Sequence, residues 1–191
     1  YFMLGHSMGS FMLRKYLAVH NDRLRGAIIM GTGFIPGPVT KIGLGVANLL
    51  GKIFGTHHRS KLVTNLSFGA SYKKFDMTGT KPENSWLTKD VDIVKKYYAD
   101  PRCTYMFTVN GYKGLFEAVN FSCNPENVKR IPSKLPIFIV SGKDDPVGDL
   151  GEGVMKVYHM FEDAGGLDLT YQLYEDDRHE ILNETDKHLV F

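Results

Sequence analysis

The chain has 191 residues, 43% of them hydrophobic and 23% charged, with a formal charge of +2. That length buries one sizeable core, those fractions exclude a disordered chain, and charges spread in mixed-sign clusters, with short basic pairs such as Lys73-Lys74 and Lys129-Arg130, exclude a nucleic-acid-binding stripe. Two cysteines, Cys103 and Cys123, without CxxC or Cys/His spacing exclude a disulfide framework and a zinc site, and no apolar run reaches the roughly twenty residues of a bilayer span.

The first predicted element is a strand, Tyr1-Phe2-Met3-Leu4, leading into Gly5-His6-Ser7-Met8-Gly9. Leu13, Tyr16 and Leu17 follow at i, i+3 and i+4, so the next stretch reads as a helix with one apolar face. Strand, sharp turn and helix are the setting of a nucleophile elbow, in which a strained turn holds a serine hydroxyl clear of the sheet. A chain that begins inside a buried strand reads as N-terminally truncated, with that strand left as an apolar sheet edge. The cysteine usage is compatible with a cytoplasmic location.

Ala27-Ile28-Ile29-Met30 and Ile137-Phe138-Ile139-Val140 are short continuous apolar runs, as expected of parallel strands covered on both faces. A fourth run, from Leu167 to Leu173, alternates like an outer strand. Between the third and fourth runs, Val154, Val157, Tyr158 and Phe161 form a helical stripe, opened by an Asp149/Glu152 capping box and closed near Gly165-Gly166. Strands alternating with helices predict an α/β domain.

The interval from Phe34 to about Pro136 breaks that rhythm and reads as a helical insertion: one helix around Gly43 to Gly55, one capped by Thr88 and running to Tyr98, and one over much of Tyr105 to Phe121. The resulting organisation is core over 1–34, insertion over 35–135 and core over 136–191.

A serine nucleophile needs a base, and the base a carboxylate that orients it. Ser141-Gly142-Lys143-Asp144-Asp145-Pro146-Val147 leaves the third strand at the carboxyl end of the sheet, where open α/β sheets bind ligands, and Tyr174-Glu175-Asp176-Asp177-Arg178-His179-Glu180 leaves the fourth in the same way. Glu180, Asn183 and Glu184 suit the start of a closing helix. His57-His58, His20 and His159 read as surface side chains and His6 as packing. His179-Glu180 lacks the second histidine of a zinc-protease helix, and neither Gly31-Thr32-Gly33 nor Gly51-Lys52 completes a nucleotide-binding fingerprint.

The Gly5 to Gly9 turn, the Gly142 to Val147 turn and Arg178-His179-Glu180 together resemble the lysophospholipase and monoacylglycerol-lipase-like branch of the α/β-hydrolases, which includes serine aminopeptidase-like members. The resemblance spans nearly the whole chain and implies the C-terminal part of an α/β-hydrolase sheet, the insertion forming a helical cap. It implies Ser7 as nucleophile, Asp145, directly before Pro146-Val147, as the orienting acid, and His179 as the base. The backbone N–H of Met8 and a second N–H from outside these residues would form the oxyanion hole.

Apolar side chains of Gly43 to Phe54 and Phe116 to Phe121 are candidates for an acyl lining or for plain core. The expected activity is hydrolysis of monoacylglycerol- or lysophospholipid-like esters, with no cofactor, no metal and a small acyl ester as partner. A thioesterase, amidase or peptidase with the same three residues, and a non-catalytic lipid-binding protein, are the alternatives. Transient contact with a membrane surface and the oligomeric state are left open.

Overall fold

The computed structural model describes residues 1–20, 23–166 and 168–191. Four parallel strands, β1 (Phe2–His6), β2 (Gly26–Met30), β3 (Ile137–Gly142) and β4 (Leu169–Tyr174), lie side by side in chain order. Leu4 pairs with Ile28, Ile28 with Phe138 and Phe138 with Thr170, so all four carboxyl ends open on one rim. Helix α1 (Met8–Val19) connects β1 to β2, whereas α2 (Gly37–Phe54), α3 (Lys61–Ser67), α4 (Val91–Ala99), α5 (Val109–Ser122) and α6 (Pro125–Val128) fill the interval before β3. Helix α7 (Glu152–Asp163) returns the chain to β4, which begins after Leu167, a residue outside the described set.

The main core lies on one face of the sheet, where Ala27, Ile29, Ile137 and Ile139 meet Leu13 and Leu17 of α1 and Val154, Val157 and Phe161 of α7. Each of these side chains larger than alanine contributes about 1.5–3 kcal/mol on leaving water. Gly5 lets α1 come this close, because a Cβ there would stand 2.5 Å from the Gly9 carbonyl oxygen. The other face departs from the expectation of full cover. Met30 and Val140 pack under Ile181, Ile28 and Phe138 are half-buried, and on β1 Phe2 and Leu4 are 71% and 51% exposed.

Several local expectations shift. Tyr16 is exposed beside His20 and only Leu13 and Leu17 of the predicted stripe are buried. The Asp149/Glu152 capping box does not form: Asp149 and Leu150 take positive φ, Gly151 occupies the N-cap, and the Asp149 carboxylate instead accepts the Ser71 hydroxyl. Helix α4 is capped by Asp90, which accepts the N–H groups of Asp92 and Ile93; Thr88 lies two residues earlier and accepts the N–H of Asp90. Helix α2 starts six residues before Gly43, since Pro38 presets a helical φ where no N–H is needed. The closing helix is two short 3₁₀ turns, Ile181–Asn183 and Lys187–Leu189, because Glu184 turns inward.

Arg14, on α1, is buried, an outcome its sequence position does not announce. Its guanidinium donates to the Gly33 carbonyl (2.9 Å), the Thr32 hydroxyl (3.2 Å) and the Ser122 carbonyl (2.7 Å), tying α1 to the loop after β2 and to the end of α5. Burial pushes its pKa down, and its Nε has no partner among the described residues. An Arg14→Met variant keeps much of the volume but strands two buried carbonyls. It should lose about 3 kcal/mol of stability, read as a lowered urea midpoint at unchanged slope.

Candidate active site

The turn after β1 sets Ser7 at φ 56° and ψ −124°, a region that a residue with a Cβ occupies at a cost of about 1–3 kcal/mol. The strain is held from both sides: the Ser7 N–H donates to the Met30 carbonyl at 3.1 Å, and the Ser7 carbonyl accepts from the backbone and hydroxyl of Ser10 at 2.9 and 2.6 Å. Ser7 is half-buried, and Met8 behind it opens α1.

Asp145 follows β3 and is fully buried, whereas its neighbour Asp144 is exposed. One carboxylate oxygen accepts the Val147 N–H at 2.8 Å; the other accepts the Ser141 hydroxyl at 3.2 Å and faces His179 Nδ1 at 2.9 Å. With Asp145 ionised, Nδ1 carries the proton and Nε2 keeps its lone pair. Gly142 makes the approach of the two turns possible, because any Cβ there would collide with the carbonyl oxygens of Asp177 and Arg178.

The His179 ring is flanked by Trp86, stacked at 5.0 Å between centroids, and by His6, at 4.7 Å. His6 directly precedes Ser7, so this contact brings the serine turn and the histidine turn together at one end of the sheet. His6 Nε2 lies 3.1 Å from the His179 carbonyl oxygen, to which it donates. Burial, and then the neighbouring His179, hold the His6 pKa below the usual imidazole range. Tyr72, whose ring lies 5.7 Å from Trp86, has its hydroxyl pKa pushed up by burial and then by the Asp145 charge.

The lowered His6 pKa has a consequence for stability. Folded His6 resists a proton that the unfolded chain accepts, so its contribution is fully present above about pH 6.5 and is lost as the pH falls through the folded value. A His6→Gln variant retains a donor for the His179 carbonyl and removes the titration. Urea midpoints between about pH 7 and pH 5 should fall less steeply for the variant than for the parent chain.

A polar network fixes the histidine turn to residues 83–89. Glu180 donates its N–H to the Leu87 carbonyl at 2.8 Å, and the Arg178 guanidinium reaches the Ser85 carbonyl at 2.5 Å and that of Glu83 at 3.2 Å. Glu184, fully buried, accepts the Thr88 hydroxyl and the N–H groups of Lys89 and Arg178, each at 2.8 Å. Asp177, Glu184 and Asp186 approach one another as a metal-binding trio would, but the Lys89 ammonium already sits among them, 2.7 Å from Asp177 and 3.3 Å from Asp186.

Trp86, Glu184 and the second role of His6 escape a reading of the sequence. Their partners lie 93, 96 and 173 positions away, and only the single tryptophan is conspicuous by type. Of the two readings open for the apolar residues of the insertion, acyl lining or plain core, Phe116 takes the second. Phe116 is buried against Gly43 and belongs to the core between α2 and α5. A cleft of about 260 Å³ between the same helices is lined by Ala47, Gly51 and Val109 together with Asn48, Lys52 and Asn110, a mixed set.

A parallel sheet with a strained serine turn after one strand and a buried aspartate–histidine pair after two later ones is the architecture of an α/β-hydrolase. The chain belongs to the serine aminopeptidase S33 family, whose model matches residues 1–186. Among solved structures, a thermostable carboxyl esterase from Bacillus coagulans superposes with a TM-score of 0.86 at 28% identity, over 100% of this chain and 61% of that one. The monoacylglycerol lipase of Paleococcus ferrophilus (TM-score 0.71, 20% identity, 100% and 64% covered) and the monoglyceride lipase of Saccharomyces cerevisiae (0.68, 24%, 97% and 56%) share the fold. The chain thus spans about 61% of the length of the esterase. A search of curated proteins gave no match. Among the described residues no helix is long and apolar enough to cross a membrane.

Proposed function

We propose that this chain carries the Ser-His-Asp machinery of a hydrolase acting on carboxylic esters of the monoacylglycerol or lysophospholipid type. The observation that carries the proposal is the buried 2.9 Å contact between Asp145 and His179 Nδ1, on the same sheet rim as the strained turn at Ser7. His179 takes the Ser7 proton on Nε2, the Ser7 oxygen attacks the ester carbonyl, and the imidazolium returns the proton to the leaving alcohol. Water, deprotonated by the same nitrogen, then releases the acid from the acyl-enzyme. Asp145 holds the tautomer and stabilises the imidazolium. The Met8 N–H, at the positive end of α1, meets the developing oxyanion. Residues 35–135 form the cap that selects the acyl group.

The family's description as serine aminopeptidases favours one rival, an amide or peptide substrate for the same three residues. The carboxyl esterase at 28% identity supports the ester reading. A panel of monoacylglycerols, lysophospholipids, acyl thioesters and aminoacyl amides, assayed beside fluorophosphonate labelling, separates the two. Faster turnover of the esters is expected. Faster turnover of the amides would replace the proposal with the rival, and tight acyl binding without labelling or product release would replace both with a binding protein.

A further inference from the structure

Helix α2 has two apolar faces with different surroundings. Thr40, Gly43 and Ala47 are buried, with Gly43 against Phe116 of α5, while Val39, Ile42, Leu49 and Ile53 are 51%, 63%, 57% and 61% exposed. At about 100° per residue those four fall on one stripe roughly 80° wide. Helix α3, packed beside α2, adds Leu62 and Leu66, one turn apart and also exposed. Isolated exposed leucines need no explanation, but a stripe running the length of a helix and continuing onto its neighbour marks a contact surface.

Charge indicates what that surface meets. Residues 26–75 contain no aspartate or glutamate, and every lysine and arginine in that interval is exposed. Because the whole chain carries only +2, the remainder is net acidic, whereas the interval that holds α2 and α3 is net positive. Lys41 and Lys52 lie about 90° round α2 from Ile42, along one border of the stripe, where long stems can lie on apolar surface with the ammonium groups at its edge. Arg59 and Lys61 stand at the start of α3. A second copy packed face to face would bring like charges together.

We propose that the exposed face of α2 and α3 docks on an anionic lipid surface. Ile42, Leu49 and Ile53 enter the boundary between headgroups and acyl chains, while Lys41, Lys52, Arg59 and Lys61 rest against the headgroup phosphates. The argument uses no residue of the candidate active site, so it stands or falls apart from the hydrolase reading.

Co-sedimentation of the chain with phosphatidylcholine vesicles, with and without about one-third phosphatidylglycerol, tests it. Binding to the anionic vesicles should be at least about tenfold tighter than to the neutral ones and should weaken in about 0.5 M salt. The pair Ile42→Glu and Leu49→Glu should abolish binding while the circular dichroism spectrum stays unchanged. The pair Lys41→Glu and Lys52→Glu, both at exposed positions, should remove the preference for anionic lipid and decides the matter if the first pair misfolds. Equal binding to both vesicle types, no binding to either, or binding that neither pair alters would overturn the proposal. So would a dimer, seen by light scattering, that Leu49→Glu dissolves, since a second copy would then cover the face.

Discussion

Replacing Ser7 with Ala should reduce ester turnover by about 10⁴-fold or more and eliminate fluorophosphonate labelling, while stability stays within about 0.5 kcal/mol of the parent. The separation of the two effects follows from the turn. Every bond that holds it uses the Ser7 backbone, its N–H to Met30 and its carbonyl to Ser10, so losing the hydroxyl leaves the scaffold intact. Alanine keeps the Cβ and therefore the strain at φ 56°. Glycine does not, so Ser7→Gly should be equally inactive and about 1 kcal/mol more stable in urea titrations. Turnover by Ser7→Ala at the parent rate would remove Ser7 from the chemistry.

Asp145→Asn should be nearly as damaging to turnover, by about 10⁴-fold, with little loss of stability. The amide oxygen retains the Val147 N–H, and the amide nitrogen, in place of the other carboxylate oxygen, finds an acceptor in the Ser141 hydroxyl. That same nitrogen faces His179 Nδ1 as a donor. The imidazole is then driven to carry its proton on Nε2, where it cannot accept one from Ser7. Asp145→Ala instead empties a buried site and should cost both stability and turnover, so the asparagine variant isolates the tautomer. An asparagine variant with parent activity would move the orienting role to another carboxylate.

The elements proposed to bear these roles are legible because their signals are local. A five-residue turn pattern between an apolar run and a helical stripe needs no distant partner to be recognised, and Asp145-Pro146-Val147 and His179 each follow a run whose strand character is local too. The preference for Asp145 over Asp144 rests on the family resemblance; in the fold Asp145 is buried and Asp144 exposed. What was hidden depends on distance along the chain. Arg14 sits where a solvent-facing residue is equally at home on α1, and only the arrival of Ser122 and Gly33 makes the position interior. Glu184 pointed toward a helix start by type, yet Thr88, Lys89 and Arg178 give it three donors, outweighing a weak terminal preference. The apparent capping box at Asp149 failed because positive φ at Asp149 and Leu150 leaves the N-cap to Gly151, a backbone choice that composition does not disclose.

The ties between residues 83–89 and the histidine turn bear on chimeras. A graft that exchanged the whole interval 35–135 for that of a relative would remove Trp86 from the face of His179, and with it the carbonyls of Glu83 and Ser85 that anchor Arg178. Transplants meant to alter selectivity without disturbing His179 must therefore leave 83–89 with the host and exchange α2, α3 and α5 around it.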